Sequence, residues 1–111
     1  MEVETKTVGD VTVLLIMKRF DAYTANAVEA KINELINGGV SKLLCDFSQT
    51  EYLASAGLRV LLSAVRNLQK KSGKLVLCSV KPYVLEVFEI SGMNKIFKIT
   101  SSLEAGLEEL N

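Results

Sequence analysis

Three short, almost wholly apolar runs constrain the fold of this chain more than any other feature. They cover residues 11–17, 42–47 and 74–78. Continuous apolar runs of this length are typical of strands that lie inside a sheet and are covered on both faces. Amphipathic segments stand between these runs, so helices are available to cover the sheet. The pattern therefore predicts an α/β fold.

The chain alternates strands and helices after an N-terminal hairpin. Residues 3–8 and 11–18 flank Gly9-Asp10, which predicts two antiparallel strands joined by a two-residue turn. The remaining predicted elements are helices over 24–37 and 55–71, a helix from Pro82, strands at 40–47, 74–78 and 95–99, and a last helix with a capping box at Ser101 and Glu104. We expect one domain over residues 1–111, with a mixed, mostly parallel sheet of about five strands and about four helices.

Charge and residue usage exclude several classes of protein. Thirteen basic and 13 acidic residues give a formal net charge of zero without a basic cluster, which argues against direct nucleic-acid binding. No apolar stretch reaches the ~20 residues of a membrane span and no signal-peptide pattern is present, so we expect a cytoplasmic protein without a membrane partner. The lack of histidine excludes Ser-His-Asp and Cys-His catalysis within the chain. We expect no enzyme activity, no cofactor and no metal site, and buried free thiols at Cys45 and Cys78.

The segment 53–58 carries the strongest functional signal. It reads Leu-Ala-Ser-Ala-Gly-Leu and lies between an apolar strand and a long amphipathic helix. That placement puts the Ser55 hydroxyl at a helix N-terminus, where unpaired backbone N–H groups and the helix dipole favour an anion. Ser55 is therefore either the N-cap of the helix or a site at which a phosphate is added and removed.

Other candidate residues should lie near the same edge of the sheet, because ligands gather at the carboxyl ends of parallel strands. Asp21 either shapes the turn into the first helix or has a functional role. Asp46 is expected to fix the loop that follows it through hydrogen bonds. Glu51 and Tyr52 are expected on an exposed loop, 48–54, where a partner could contact them.

The residues around Ser55 resemble a known family. Ala54-Ser55-Ala56-Gly57-Leu58, following Cys45-Asp46-Phe47, is similar to the Asp-Ser-Ser/Thr-Gly-Leu motif of bacterial anti-sigma factor antagonists, which are small proteins with the STAS fold. Residues 19–25 resemble the family's segment before its first helix, and residues 87–97 resemble its third helix and following turn. The resemblance extends over essentially the whole chain and agrees with the predicted order of elements.

The resemblance implies a non-enzymatic switch in transcription regulation. In that family an anti-sigma factor with serine kinase activity binds the unphosphorylated antagonist, and a sigma factor is released. Phosphorylation ends that binding, and a metal-dependent serine phosphatase restores it. The matching phosphorylation site here is Ser55. The implied partner-binding residues are Asp21, Tyr23, Glu51, Tyr52, Ala54, Ala56, Gly57, Leu58 and Arg59.

The chain departs from the family's motif at two positions. Ala54 stands where the family has an acid before the serine, which bears on kinase recognition and on local hydrogen bonding. Ala56 stands where the family has a second serine or threonine. Ser55 is therefore the one phosphorylatable side chain of the motif.

Two other classes of function stay open from the sequence. STAS-like domains also serve as scaffolding subunits of lipid-transport or stress-signalling assemblies that have no sigma factor partner. An aspartyl-phosphate receiver would need an acidic pair after its first parallel strand, where this chain offers Asp21 alone. The sequence contains no histidine, no P-loop and no Gly-rich dinucleotide motif, which argues against a hydrolase or a transferase.

Overall fold

Helices cover both faces of one main sheet. The computed structural model describes residues 3–111. The strands are β1 (Val3–Val8), β2 (Val11–Ile16), β3 (Lys18–Phe20), β4 (Lys42–Asp46), β5 (Thr50–Leu53), β6 (Lys74–Cys78) and β7 (Lys98–Thr100). The helices are α1 (Ala25–Asn37), α2 (Ser55–Lys70), α3 (Pro82–Ile90) and α4 (Leu103–Leu110), with a 3₁₀ turn at Met93–Lys95.

The main sheet has the strand order β1-β2-β4-β6-β7. β1 and β2 form an antiparallel hairpin, whereas β2, β4, β6 and β7 run parallel. Gly9 takes a φ of 62°, as a type II′ turn requires at its first central position. The predicted mixed, mostly parallel sheet of five strands with an N-terminal hairpin is confirmed.

Two apolar cores lie on opposite faces of this sheet. The larger core is shared by α1, α2 and α3, and its fully buried rings include Phe47 and Phe88. Those two rings meet edge to face with their centroids 6.1 Å apart. On the other face, α4 packs Leu110 against a cluster that includes Leu44 and Val76. The apolar runs are continuous because each inner strand supplies side chains to both cores.

The strand predicted over residues 11–18 is divided into β2 and β3. Lys18 takes a φ of 43°, a left-handed conformation that interrupts a strand. β3 therefore leaves the main sheet and pairs in parallel with β5 in a second, two-stranded sheet. The prediction that 48–54 is wholly a loop is wrong, because β3 provides the partner that allows Thr50–Leu53 to form a strand.

The C-terminal third differs from the prediction in two details. The strand predicted at 95–99 begins later, as β7 at Lys98–Thr100. The reason is that Gly92, at φ 76°, leads into the 3₁₀ turn, which occupies the residues where the strand was expected to begin. The N-cap of α4 is Ser102, whose Oγ accepts a hydrogen bond from the Ala105 N–H at 3.1 Å. The predicted capping box at Ser101 and Glu104 is therefore wrong by one residue.

Candidate functional site

Helix α2 begins beside the β3–β5 pair, with Ser55 as its first residue. The N-cap is Ala54, at φ −112° and ψ 172°, and it makes no side-chain cap bond. Of the two predicted roles of Ser55, that of N-cap is wrong by one position. The Ala54 N–H donates to the Phe20 carbonyl at 3.0 Å, which continues the strand pairing to the residue before the helix. Ser55 is exposed, so its hydroxyl is open to another molecule.

Two backbone N–H groups at the start of α2 are available to a ligand. The N–H groups of Gly57 and Leu58 donate to the Ala54 carbonyl at 3.0 and 3.2 Å. Within residues 3–111, the N–H groups of Ser55 and Ala56 have no protein acceptor. Unpaired N–H groups at the positive end of a helix dipole favour an anion at that position.

Gly57 sets how closely α2 approaches β3 and β5. A Cβ on Gly57 would lie 2.8 Å from Leu53 Cδ1 and 2.9 Å from both the Phe20 ring and the Phe20 carbonyl oxygen. At these distances a side chain at position 57 would force Leu53 and Phe20 to shift, so the glycine permits the close packing. Gly57 is buried, and Leu58 beside it is buried as well. The two residues therefore position the helix end from inside the protein.

The β3–β5 pair places a charged and an aromatic side chain side by side. Arg19 and Tyr52 are direct neighbours in the register, and the Arg19 guanidinium lies 4.3 Å from the centre of the Tyr52 ring. Arg19 Nε also donates to Asp21 Oδ2 at 2.9 Å. Contacts of a guanidinium with an aromatic face and a carboxylate restrict its rotamers. Arg19 is thereby held at the surface beside α2.

Asp21 organises the turn between β3 and α1. Its Oδ1 accepts hydrogen bonds from the N–H groups of Tyr23 at 3.0 Å and Thr24 at 3.3 Å. The hydrogen bond from Arg19 and these two backbone N–H groups hold the pKa of the Asp21 carboxyl below its usual range, against the opposing effect of desolvation. Because the side chain is buried and fully engaged, Asp21 shapes the turn, which is one of its two predicted roles.

Exposure divides the predicted partner residues into two groups. Tyr23 is 95% exposed and Tyr52 46% exposed, and Glu51, Ser55 and Arg59 are exposed too. We call these five residues the Ser55 surface. The remaining predicted residues are buried or partly buried and lie beneath or beside this surface: Asp21, Ala54, Ala56, Gly57 and Leu58.

Comparison with known proteins identifies the family. The family model described as "STAS domain" matches residues 2–106. The chain belongs to the STAS domain family. The Bordetella bronchiseptica protein BtrV, named as a candidate anti-sigma factor antagonist, is 42% identical over 81 residues, which is 73% of this chain and 70% of BtrV.

Solved structures share the fold of this STAS domain. A candidate anti-sigma factor antagonist from Thermotoga maritima superposes with a TM-score of 0.92 at 24% identity, covering 97% of this chain and 93% of that one. The Bacillus cell fate determinant SpoIIAA in its phosphorylated form has a TM-score of 0.77 at 20% identity, covering 98% of this chain and 99% of that one. At these identities the likeness establishes the fold alone.

The sequence reasoning missed two residues of the site. Arg19 was not among the predicted partner residues, although it lies between Asp21 and Tyr52. Thr50 is fully buried, and its Oγ1 donates to the Ile16 carbonyl at 2.7 Å, which fixes the start of β5. No local pattern marks either residue, because both roles depend on the pairing of β3 with β5.

The other candidate residues of this STAS domain have structural roles. Asp46 Oδ1 accepts a hydrogen bond from the Ser48 N–H at 2.9 Å, which confirms the prediction that it fixes the following loop. Cys45 and Cys78 are buried free thiols, as predicted, and burial raises the pKa of Cys78 to about 11. Within residues 3–111, no group of three or more Cys, Asp or Glu side chains is arranged to hold a metal ion. Across the same residues, none of the helices has the length and apolar character to cross a membrane.

Proposed function

We propose that this STAS domain is an anti-sigma factor antagonist that is switched by phosphorylation of Ser55. In its unphosphorylated state it binds an anti-sigma factor with serine kinase activity through the Ser55 surface, and a sigma factor is released. The kinase then phosphorylates Ser55, and a metal-dependent serine phosphatase removes the phosphate. The observation that carries the proposal is the exposed Ser55 hydroxyl at the first position of α2, beside two backbone N–H groups that have no acceptor within residues 3–111.

The surroundings of Ser55 suit a phosphate. A phosphoserine adds about −1.5 to −2 charges and three acceptor oxygens. The N–H groups of Ser55 and Ala56 and the dipole of α2 would favour that charge. Arg59 lies four residues further along the helix, on the same face as Ser55, and takes part in no ion pair within residues 3–111. We therefore expect the phosphorylated protein to keep its fold.

The same phosphate would oppose binding of the partner. At a closed interface the phosphate must lose water and occupy space that the partner would otherwise fill. A loss of about 3 kcal/mol in binding free energy would weaken the complex by more than 100-fold. The switch would then act on the interface without refolding the domain.

The first experiment is intact-mass analysis of the protein purified from its native cells, before and after phosphatase treatment. We expect one phosphate, mapped to Ser55 and absent from the Ser55→Ala variant. Ser101→Ala is the matched control, because Ser101 is also exposed and lies directly before Ser102, the N-cap of α4. Phosphate that persists on the Ser55→Ala protein would show that the site assignment is wrong.

A second experiment tests the partner. Wild-type and Ser55→Ala proteins should retain an ATP-binding anti-sigma factor in a pull-down, whereas Ser55→Asp should lose it because the added carboxylate imitates part of the phosphate charge. Tyr23→Ala should weaken binding without lowering stability, since its side chain is almost wholly exposed. Equal retention by Ser55→Ala and Ser55→Asp would contradict the switch. It would favour the alternative in which the domain is a scaffolding subunit.

A further inference from the structure

The outer edge of β1 is open. β1 is the first strand of the main sheet, and among residues 3–111 it pairs on one side only, with β2. Within residues 3–111, its backbone makes no hydrogen bond outside that pairing. Five of its six residues are exposed, and Val3 alone is buried. An open edge of this kind is a template for another strand unless the sequence prevents it.

The hairpin geometry fixes which backbone groups point outward. Val8 and Val11 flank the two-residue turn and form a hydrogen-bonded pair, and paired positions alternate from there. Lys6 and Glu4 therefore direct their N–H and C=O groups toward β2. Thr7, Thr5 and Val3 direct theirs away from the sheet.

These outward groups can pair with a second copy of the same strand about a two-fold axis at Thr5. In that antiparallel arrangement Thr5 faces Thr5 of the second copy, and Val3 faces Thr7 in both directions. About six backbone hydrogen bonds would form, because every outward-facing residue then meets another outward-facing residue.

The charges of β1 select this register among the neighbouring ones. With the axis at Thr5, Glu4 of each copy faces Lys6 of the other on the same sheet face, so two opposite-charge pairs form. An axis at Glu4 would place two glutamates opposite each other, and an axis at Lys6 would do the same with two lysines. Glu4 and Lys6 make no ion pair within residues 3–111, so both charges are available.

We propose that β1 is a self-association edge, through which two copies join their sheets with Glu4 of each facing Lys6 of the other. The charges of Glu4 and Lys6 disfavour pairing of β1 with an unrelated strand, but they are complementary to β1 of a second copy. The interface is small, so the dimer is weak and forms at high local concentration, as in an assembly that carries several copies. The proposal does not rest on the function proposed for Ser55.

Charge reversal with rescue tests both the edge and the register. Sedimentation equilibrium from about 10 µM to about 1 mM covers the range of a small interface. The wild-type mass should rise with concentration from 12.2 kDa toward twice that value. Glu4→Lys and Lys6→Glu should each weaken the dimer by about 10-fold or more, because each creates two like-charge pairs. The double variant Glu4→Lys/Lys6→Glu should recover it.

Mixing the two single variants gives the most direct test of the facing charge pairs. The Glu4→Lys and Lys6→Glu proteins should each be monomeric alone and should associate with each other when mixed, since every facing pair is then opposite in charge. Lys95→Glu is the matched control, because Lys95 is an exposed lysine outside β1. All of these positions are exposed, so the variants should fold, and their melting temperatures verify this.

Three association results would each overturn the proposal: a wild-type protein that stays monomeric throughout the concentration range, single variants that dimerise as well as wild type, or a mixture that fails to associate. Amide exchange gives a fourth test. Slower amide exchange at Thr5 and Thr7 in the concentrated protein would support the assigned edge, and unchanged exchange there would contradict it.

Discussion

Replacing Gly57 with alanine tests the packing on which the Ser55 surface depends. The new Cβ would lie 2.8 Å from Leu53 Cδ1 and 2.9 Å from the ring and the carbonyl oxygen of Phe20. The leucine methyl can move, but Phe20 is fully buried and its carbonyl accepts the Ala54 N–H. Overpacking costs about 1–3 kcal/mol, while alanine regains about 1 kcal/mol of helix propensity. Because the backbone of Phe20 must shift, we expect an overpacking cost of about 3 kcal/mol, the upper end of the range. After the gain in helix propensity, the free energy of unfolding should fall by about 2 kcal/mol.

Urea unfolding followed by far-UV circular dichroism measures this loss. Ala56→Gly is the control, because it lowers helix propensity at the residue before Gly57 by up to about 1 kcal/mol without adding an atom. We also expect Gly57→Ala to weaken partner binding, since α2 must move away from β3 and β5 and carry Ser55 with it. A Gly57→Ala protein that is as stable as wild type would refute the argument that α2 needs this close approach.

Three further predictions follow from the same region and the core. Ala54→Asp should raise the free energy of unfolding by about 1 kcal/mol in urea titrations at pH 7, because an acid at the N-cap accepts a helix N–H; no gain would contradict the N-cap assignment. Asp21→Asn should be less stable than wild type at pH 7. Since the folded-state pKa of Asp21 is lowered, its stabilisation is present above about pH 4 and is lost as the pH falls below it, so a gap that stays constant down to pH 3 would refute this. Cys45 and Cys78 should resist a thiol reagent in the folded protein and react fully in urea, because both are buried; rapid labelling of the native protein would be inconsistent with that burial.

The main sheet could be predicted from the sequence because its signals are local. The residues of β6 form an apolar run that is bounded by a glycine and a polar turn, and the strand has the predicted bounds, Lys74–Cys78. The β1–β2 hairpin follows from Gly9-Asp10, whose turn allows one register only. Helix α2 begins at the predicted residue and ends one residue before the predicted end, because its apolar face repeats regularly.

The β3–β5 pair could not be predicted because neither strand has a signal of its own. β3 is three residues long and begins at Lys18, in a conformation that residues other than glycine rarely adopt. β5 is four residues long, and its two middle residues are exposed. Each strand exists because the other is adjacent, and that adjacency results from the packing of α1 and α2 on the main sheet. The Arg19–Tyr52 contact depends on this pairing and was missed with it.

The N-cap prediction failed for a reason that bears on the proposed switch. Serine is a preferred N-cap residue, and local preference therefore placed Ser55 at the cap. The strand-like bond between Ala54 and Phe20 instead assigns the cap to Ala54 and moves Ser55 to the first helical position. A capping hydroxyl would accept a backbone N–H of its own helix, whereas in the described part of the chain the Ser55 hydroxyl makes no such bond. The departure from the cap thus leaves both the hydroxyl and two N–H groups unengaged, which is the state that a phosphate acceptor at this surface needs.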